Sequence, residues 1–226
     1  MMKKMMNKKK IAAIIPMKNL HFAKSRLSTI LTLQQRKNLA FFLLNTTIKT
    51  LKESRLITEI IVVSSDKTIE KFSFENSLKF IKDSDDGINN AVILADRYCI
   101  NNDIDANIVI PHDLPFISAN EIDQICNISE KYHKCIIICP SKRFDGTNIL
   151  FRKPPNVIRT FYDDNSYINH LKEAQKLHIP IESLDLDNLM FDIDTKEDLI
   201  ELSIILQNWK SFLKDFNLKG NYSQKI

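Results

Sequence analysis

Along this chain short apolar runs alternate with longer segments whose apolar positions recur at intervals of three and four, the pattern of a mostly parallel sheet wrapped by helices. Ile11 to Ile15 reads as the first strand, Ile60 to Val63 as the second and Leu78 to Ile81 as a short third. Asn107 to Ile110, an unbroken β-branched run in its core, predicts a strand buried on both faces. Further strands are expected at Cys135 to Cys139 and Ile149 to Phe151, with an extended stretch from Ile179 to Leu186. Between them, Thr32-Leu33-Gln34-Gln35 has the form of a capping box and opens a helix through Leu39, Leu43 and Ile48 to Leu51. Helices are also predicted over Asn89 to Tyr98, Ala119 to Lys131 and Ser166 to Lys176. Thr195 is placed to cap a last helix whose apolar stripe is Leu199, Leu202, Leu206, Trp209 and Leu213. That stripe suits either the sheet or a partner subunit. The expected architecture is a three-layer α/β domain over 10–218, with a basic tail at 1–9 and a flexible polar tail at 219–226.

Composition narrows the class. The 226 residues are 44% hydrophobic, enough for one sizeable core, and 32 basic against 28 acidic residues give a net charge of +4. Lys3, Lys4, Lys8, Lys9 and Lys10 supply much of that excess, so the body is close to neutral and lacks the basic, aromatic-studded face of a nucleic-acid binder. Cys99, Cys126, Cys135 and Cys139 show no CxxC spacing, which argues against zinc and for core packing in a reducing cytoplasm. Ile11 to Ile15 is too short for a signal-peptide core or a membrane span, so no membrane partner is expected.

The chemistry is expected at strand ends. Ile108-Val109-Ile110 runs into Pro111-His112-Asp113-Leu114-Pro115, and a second apolar stub, Met190-Phe191, runs into Asp192-Ile193-Asp194-Thr195, so two strands are expected to stop on acidic residues. Open α/β sheets bind ligands at their carboxyl ends, and Mg²⁺ prefers one or two carboxylates plus substrate phosphates. The pair therefore points to a phosphorylated substrate. The loop after the first strand carries Lys18, Lys24 and Arg26 but no glycine, so it is neither a Walker loop nor a dinucleotide fingerprint; a phosphate cradle and a solvated basic turn both fit it. In a chain with three glycines, Gly87 and Gly146 sit in polar loops after strands, where a positive φ or a close backbone approach is expected. His112 and His170 read as structural.

Six strings in register, Pro16-Met17-Lys18 with Ala23-Lys24-Ser25-Arg26-Leu27, Asp86-Gly87-Ile88-Asn89-Asn90-Ala91, Asp113-Leu114-Pro115, Gly146-Thr147-Asn148, Ser166 with His170, and Asp192-Ile193-Asp194-Thr195, resemble the 2-phospho-L-lactate guanylyltransferase family. The resemblance spans residues 10 to 200. It implies a Rossmann-like nucleotidyltransferase sheet and transfer of GMP from GTP to the phosphate of 2-phospho-L-lactate or phosphoenolpyruvate, with release of pyrophosphate, in biosynthesis of the deazaflavin coenzyme F-420. Carried over residue by residue, it assigns Mg²⁺ to Asp113 and Asp192 with Asp194 beside them, and the acceptor to Thr147, Ser166 and Asp163. Lys18, Lys24 and Arg26 would meet the nucleotide phosphates and act in catalysis with Asp113, while Ser65, Asp86, Gly87 and Asn89 would bind the nucleotide, the Gly87 to Asn90 loop near its base. A homodimer is also implied. The chain departs from the family at Asp163, where a glycine is frequent, at His112, where a small residue is usual, and at Phe144-Asp145 before Gly146. Rival readings are a cytidylyl or uridylyl transferase of the same fold and a non-catalytic nucleotide-binding module.

Overall fold

The computed structural model describes residues 9–205. Seven strands, β1 (Ile11–Pro16), β2 (Glu59–Ser64), β3 (Lys79–Lys82), β4 (Ala106–Val109), β5 (Cys135–Pro140), β6 (Thr147–Lys153) and β7 (Ile181–Ser183), form one sheet in the order β3-β2-β1-β4-β6-β5-β7. Pairing is parallel throughout except around β6, which runs antiparallel to both β4 and β5. The connections carry α1 (Leu33–Glu53), α2 (Lys67–Glu75), α3 (Ile88–Asn101), α4 (Ala119–Ile128), α5 (Ser166–Lys176), α6 (Asp187–Met190) and α7 (Lys196–Ile205).

Strand β1 explains the layering, because alternate side chains leave a strand on opposite faces. Ala13, Ile15 and Met17 join Ala40, Leu44 and Ile48 of α1, Ile69 of α2 and Ile122 and Ile125 of α4 in one buried cluster. Ala12 and Ile14 join Ala91, Val92 and Ala95 of α3 and Ala174 of α5 in the other. A three-layer α/β/α sandwich follows, as the pattern predicted. All four cysteines are free and buried in it, and burial raises the Cys99 and Cys126 thiols to about 12. Among the described residues no helix is long and apolar enough to cross a membrane.

Local signals account for most boundaries. Thr32 accepts from the Gln35 backbone while the Gln35 side chain takes the Thr32 N–H, the anticipated capping box. Thr195 Oγ1 accepts from Asp198 N at 3.3 Å and the Asp198 carboxylate takes Thr195 N at 2.6 Å, so α7 starts where expected. Leu199 and Leu202 are buried; Leu206, Trp209, Leu213, most of the basic tail and residues 219–226 lie outside the described residues. Helix α2 is an addition to the sequence-based expectation: Asp66 caps it, accepting from Thr68 N and Ile69 N.

One expected strand is absent. Met190 ends the short helix α6, and Phe191 and Asp192 continue in irregular backbone. The stub is apolar because Met190 and Phe191 are buried in packed clusters, not because it pairs in the sheet. Its backbone is held instead by Lys142 N, which donates to Met190 O at 2.9 Å, and by the Asn148 amide, which donates to Leu189 O at 2.9 Å. So one acidic residue, Asp113, follows a strand closely, and Asp192 arrives from a loop.

The chain leaves β1 toward β2 and β3 and then crosses back through α3 to β4, making the gap between β1 and β4 the topological switch point. A third cluster lies beside this point: Leu27 and Leu31 from the first loop, Leu39 and Leu43 of α1, Phe191 and Ile193, and Leu199 and Leu202 of α7. It fixes two distant loops against each other.

Candidate active site

A cleft of about 610 Å³ opens at the carboxyl ends of β1, β4 and β5. Three segments bring charge to it. From the first loop comes Lys24, whose backbone sits in the left-handed region at φ 50°. That conformation costs a non-glycine residue roughly 1 kcal/mol or more and persists only where surroundings hold it. Here the holders are visible: Arg36 donates to Ala23 O at 2.8 Å, and Asp66 Oδ2 accepts from Leu20 N at 3.0 Å. The buried Lys24 ammonium then bridges Asp113 Oδ2 at 2.6 Å and Asp194 Oδ1 at 3.0 Å. Arg26, at the surface, reaches Asp194 Oδ2 at 3.2 Å.

The second and third segments meet through the backbone, since Ile193 N donates to Asp113 O at 3.2 Å. That bond brings Asp113, Asp192 and Asp194 to one wall of the cleft. Charges there are unequal in their compensation. Burial works against the Lys24 ammonium, yet Asp113 and Asp194 outweigh it and hold its pKa above the usual lysine value. Burial likewise opposes the Asp113 carboxylate, and Lys24 wins, keeping it below the usual range. Asp192 has no ion pair of this kind among the described residues; burial, with Asp113 and Asp194 nearby, pushes it up to about 6. Asn148 Nδ2 is at 3.4 Å from Asp192 Oδ1, and with Lys24 it offsets only part of that push. Burial drives His112 down to about 4, so this ring is neutral beside the cluster.

Around the start of α5 the buried groups are neutral dipoles, with the exposed Asp163 and Asp164 at their edge. Helix α5 begins at Ser166 with Asn165 as its cap residue in the left-handed region at φ 53°, and the Asn165 side chain makes no capping hydrogen bond to its first N–H groups. Such uncapped donors at the positive end of an 11-residue helix favour an anion. Ser166 Oγ lies 3.2 Å from Thr147 Oγ1, and Thr147 Oγ1 lies 3.0 Å from His170 Nδ1. Thr147, Ser166 and His170 are all buried. His170 therefore contacts Thr147 rather than supporting Ser166 directly.

Of the residues expected from the sequence, Lys18, Lys24, Arg26, Asp113, Thr147, Asp163, Ser166, Asp192 and Asp194 line this one cleft. Ser65, Asp86, Gly87 and Asn89 do not. Ser65 Oγ donates to Asp85 at 2.5 Å, and Asp86 accepts from Ser84 Oγ at 2.5 Å. Asn89 acts on the cleft from behind: its amide donates to Asp163 Oδ2 at 3.0 Å and accepts from Tyr162 N at 2.8 Å. Gly87 has φ 93° with no close neighbour, whereas a Cβ at Gly146 would lie 3.1 Å from Ser141 Oγ. One glycine serves conformation and the other proximity, to protein and not to ligand. The sequence reading missed Lys142 and Arg143, two cations in the cleft wall. Their signal was available, as a basic pair just after an apolar strand.

The carboxylates that could hold a cation are Asp192 and, if they share with Lys24, Asp113 and Asp194. Among the described residues no three His, Cys, Asp or Glu side chains enclose a metal by themselves. Mg²⁺ does not require such a cage, because it completes its shell with water and phosphate oxygens. The under-compensated Asp192 fits a cation arriving with a polyphosphate.

Comparison with known proteins identifies the family. Residues 11–225 match the family model described as "Guanylyl transferase CofC like". The chain is 35% identical over 192 residues to a 2-phospho-L-lactate guanylyltransferase of Methanocaldococcus vulcanius, covering 84% of this chain and 83% of that protein. It is 30% identical over 195 residues to a phosphoenolpyruvate guanylyltransferase of Thermobaculum terrenum, covering 86% and 84%. Among solved structures, a nucleotide-diphospho-sugar transferase from Desulfovibrio desulfuricans G20 superposes with a TM-score of 0.72 at 17% identity, over 91% of this chain and 90% of that one, which shows the shared fold. The mostly parallel sheet, the converging carboxylates and a match across nearly the whole described chain lead to one assignment: this protein belongs to the family of CofC-like guanylyl transferases.

Proposed function

We propose that this guanylyltransferase moves GMP from GTP onto a phosphate oxygen of a three-carbon phosphoacid, 2-phospho-L-lactate or phosphoenolpyruvate, in assembly of coenzyme F-420. The acceptor oxygen bonds to the α-phosphorus, the bond from that phosphorus to the β-bridging oxygen breaks, and pyrophosphate leaves with the electron pair. An acceptor phosphate is already ionised at neutral pH, so no base is needed, in keeping with neutral His112 and His170. The observation that carries the reading is a single cleft with a cation-seeking carboxylate cluster on one wall and uncapped helix donors on the other.

The barrier is electrostatic. Two unit charges ~4 Å apart at an effective dielectric of ~20 interact by about 4 kcal/mol, and a phosphate approaching a triphosphate makes several such pairs. Phosphoryl-type transfers are accelerated mainly by alignment and neutralisation. Asp113 and Asp192, with Asp194 adjacent, would hold Mg²⁺, which would supply part of that neutralisation. Lys24 and Asp113 hold each other ionised, while Lys18, Arg26, Lys142 and Arg143 are exposed in the cleft or at its rim; Arg26 and Lys142 would exchange their surface ion pairs with Asp194 and Glu201 for phosphate oxygens. Thr147, Ser166 and the α5 N-terminus take the acceptor, with Asp163 at its edge. The nucleotide-facing role proposed for Ser65, Asp86, Gly87 and Asn89 is supported by the family resemblance alone. A homodimer working in the cytoplasm completes the reading, supported by exposed Ile204 and Ile205 on α7.

Mass spectrometry tests it. GTP with 2-phospho-L-lactate, phosphoenolpyruvate or 3-phospho-D-glycerate should yield a GMP–acceptor adduct and pyrophosphate with at least one of them. CTP and UTP should give far less. Adduct formation from CTP or UTP in preference to GTP, or GTP binding with no adduct from any acceptor, would reject the assignment. Sedimentation should return the mass of two chains.

A further inference from the structure

His170 has no place in the transfer chemistry, yet it is fully buried and both ring nitrogens are committed. Its Nε2 lies 2.9 Å from Phe161 N, a backbone donor, so Nε2 must accept. A neutral imidazole carries one proton, and here it is left on Nδ1. That nitrogen is 3.0 Å from Thr147 Oγ1 and therefore donates to it. Phe161 and Tyr162 pack edge-on against the ring with centroids 5.9 and 5.2 Å away, which opposes a ring flip.

The consequence passes to the cleft. Thr147 Oγ1 receives a hydrogen bond from His170, and Ser166 Oγ is 3.2 Å from the same oxygen. If Ser166 donates, the Thr147 proton is left over; if Thr147 donates, the Ser166 proton is left over. In either arrangement one hydroxyl proton remains for a ligand in the cleft that Thr147 and Ser166 both line. Were the tautomer reversed, Thr147 would spend its proton on Nδ1, and Ser166 would spend its own on Thr147, presenting lone pairs to the ligand.

We infer that His170 is a positioning residue that sets the polarity of the Thr147–Ser166 hydroxyl pair, so that the pair donates a hydrogen bond to an anionic oxygen of the acceptor. This rests on the guanylyl-transfer reading for what the acceptor is. The polarity itself rests on the hydrogen-bond geometry. Burial supports it further by holding the ring down to about 3, with Arg152 adding to the effect, so the neutral form persists.

Two experiments test it. Nitrogen-15 NMR of the wild-type protein, with no substrate, should show His170 as the neutral Nδ1–H tautomer; an Nε2–H tautomer or an imidazolium at pH 7 overturns the inference whatever the enzyme transfers. Steady-state kinetics then use whichever of the three phosphoacids gives wild-type turnover. His170→Gln can place an acceptor where Nε2 was but loses the bond to Thr147, and His170→Asn keeps a donor near Nδ1 but loses the bond to Phe161. His170→Gln should raise the acceptor KM roughly tenfold, the scale of one hydrogen bond to a charged group, with the GTP KM unchanged. His170→Asn should recover most of that loss. In a Thr147→Ala background, neither substitution should raise the acceptor KM further. The reverse ranking, equal changes in both KM values, or full additivity with Thr147→Ala would overturn the inference. Absence of wild-type turnover with all three acceptors would instead reject the guanylyl-transfer reading, and the role at the acceptor with it, while the tautomer would still report on the polarity.

Discussion

The two walls of the cleft handle negative charge by different means. On the Asp113 wall, formal charges face each other: one buried ammonium between two carboxylates, with a third carboxylate left over. On the Thr147 wall the buried groups are neutral hydroxyls, an imidazole held neutral and the end of a helix, with Asp163 and Asp164 only at the exposed edge. In the proposed reaction a cation would complete the first wall, whereas the second presents its hydroxyls and helix end without one. The difference teaches where binding and chemistry separate: the charged wall should govern turnover, and the dipolar wall should govern acceptor affinity.

The largest effect should come from the leftover carboxylate. Asp192→Asn should lower kcat by about three orders of magnitude or more while the folded protein becomes more stable in metal-free buffer, because a poorly compensated charge is removed. Asp113→Asn should lower kcat comparably yet destabilise, since Lys24 loses its partner at 2.6 Å; breaking a buried pair costs about 3–5 kcal/mol. Thermal melts beside initial rates separate the two. Equal stability changes for both variants would erase the distinction drawn within the charged wall.

Next in size, Lys24→Met should lower kcat roughly a hundredfold and destabilise, leaving Asp113 and Asp194 unpaired. Thr147→Ala should act on the other wall, raising the acceptor KM about tenfold with little change for GTP. Loss of GTP affinity equal to that of the acceptor would show that the walls are not divided in this way.

The pH response is smaller and has a definite sign. Asp192 titrates near 6 in the fold against an ordinary 3.8, so between these values the folded chain binds a proton that the unfolded chain does not. Its contribution to stability therefore rises as pH falls through this window. His112 and His170, held down to about 4 and about 3, act in the opposite direction below their ordinary 6.5. The wild type compared with Asp192→Asn isolates the carboxylate: the variant's stability advantage should shrink from pH 7 to pH 4, and Mg²⁺ should shrink it at pH 7. An advantage independent of pH would contradict the assigned titration. The smallest effect is expected for Asn89→Ala, a few-fold rise in acceptor KM through a loosened Asp163 and Tyr162.

These walls were unequally legible in the sequence. Long periodic segments and the Thr32 box revealed α1 and α5, and unbroken apolar runs revealed β1, β4 and β5. Met190-Phe191 misled because burial alone makes a stub apolar, whether its neighbour is a strand or a cluster of side chains. Helix α2 escaped although Asp66 supplies a capping signal. The converging aspartates were legible from their positions after apolar segments. Lys24 was legible as a cation in the first loop, but its seat between Asp113 and Asp194 spans 89 and 170 residues of sequence and carries no local mark. His170 likewise sits four residues after Ser166, while its decisive partner, Thr147, is 23 away. The buried fork from Arg152 to Asp96, at 2.8 and 2.5 Å, was invisible for the same reason.

Phosphorus NMR of the running reaction tests the central claim most directly. With GTP, Mg²⁺ and the productive acceptor, the wild type should build equal signals for the GMP–acceptor pyrophosphate linkage and for free pyrophosphate, and folded Asp192→Asn should build neither. Pyrophosphate without the adduct, or undiminished adduct from Asp192→Asn, would contradict the account.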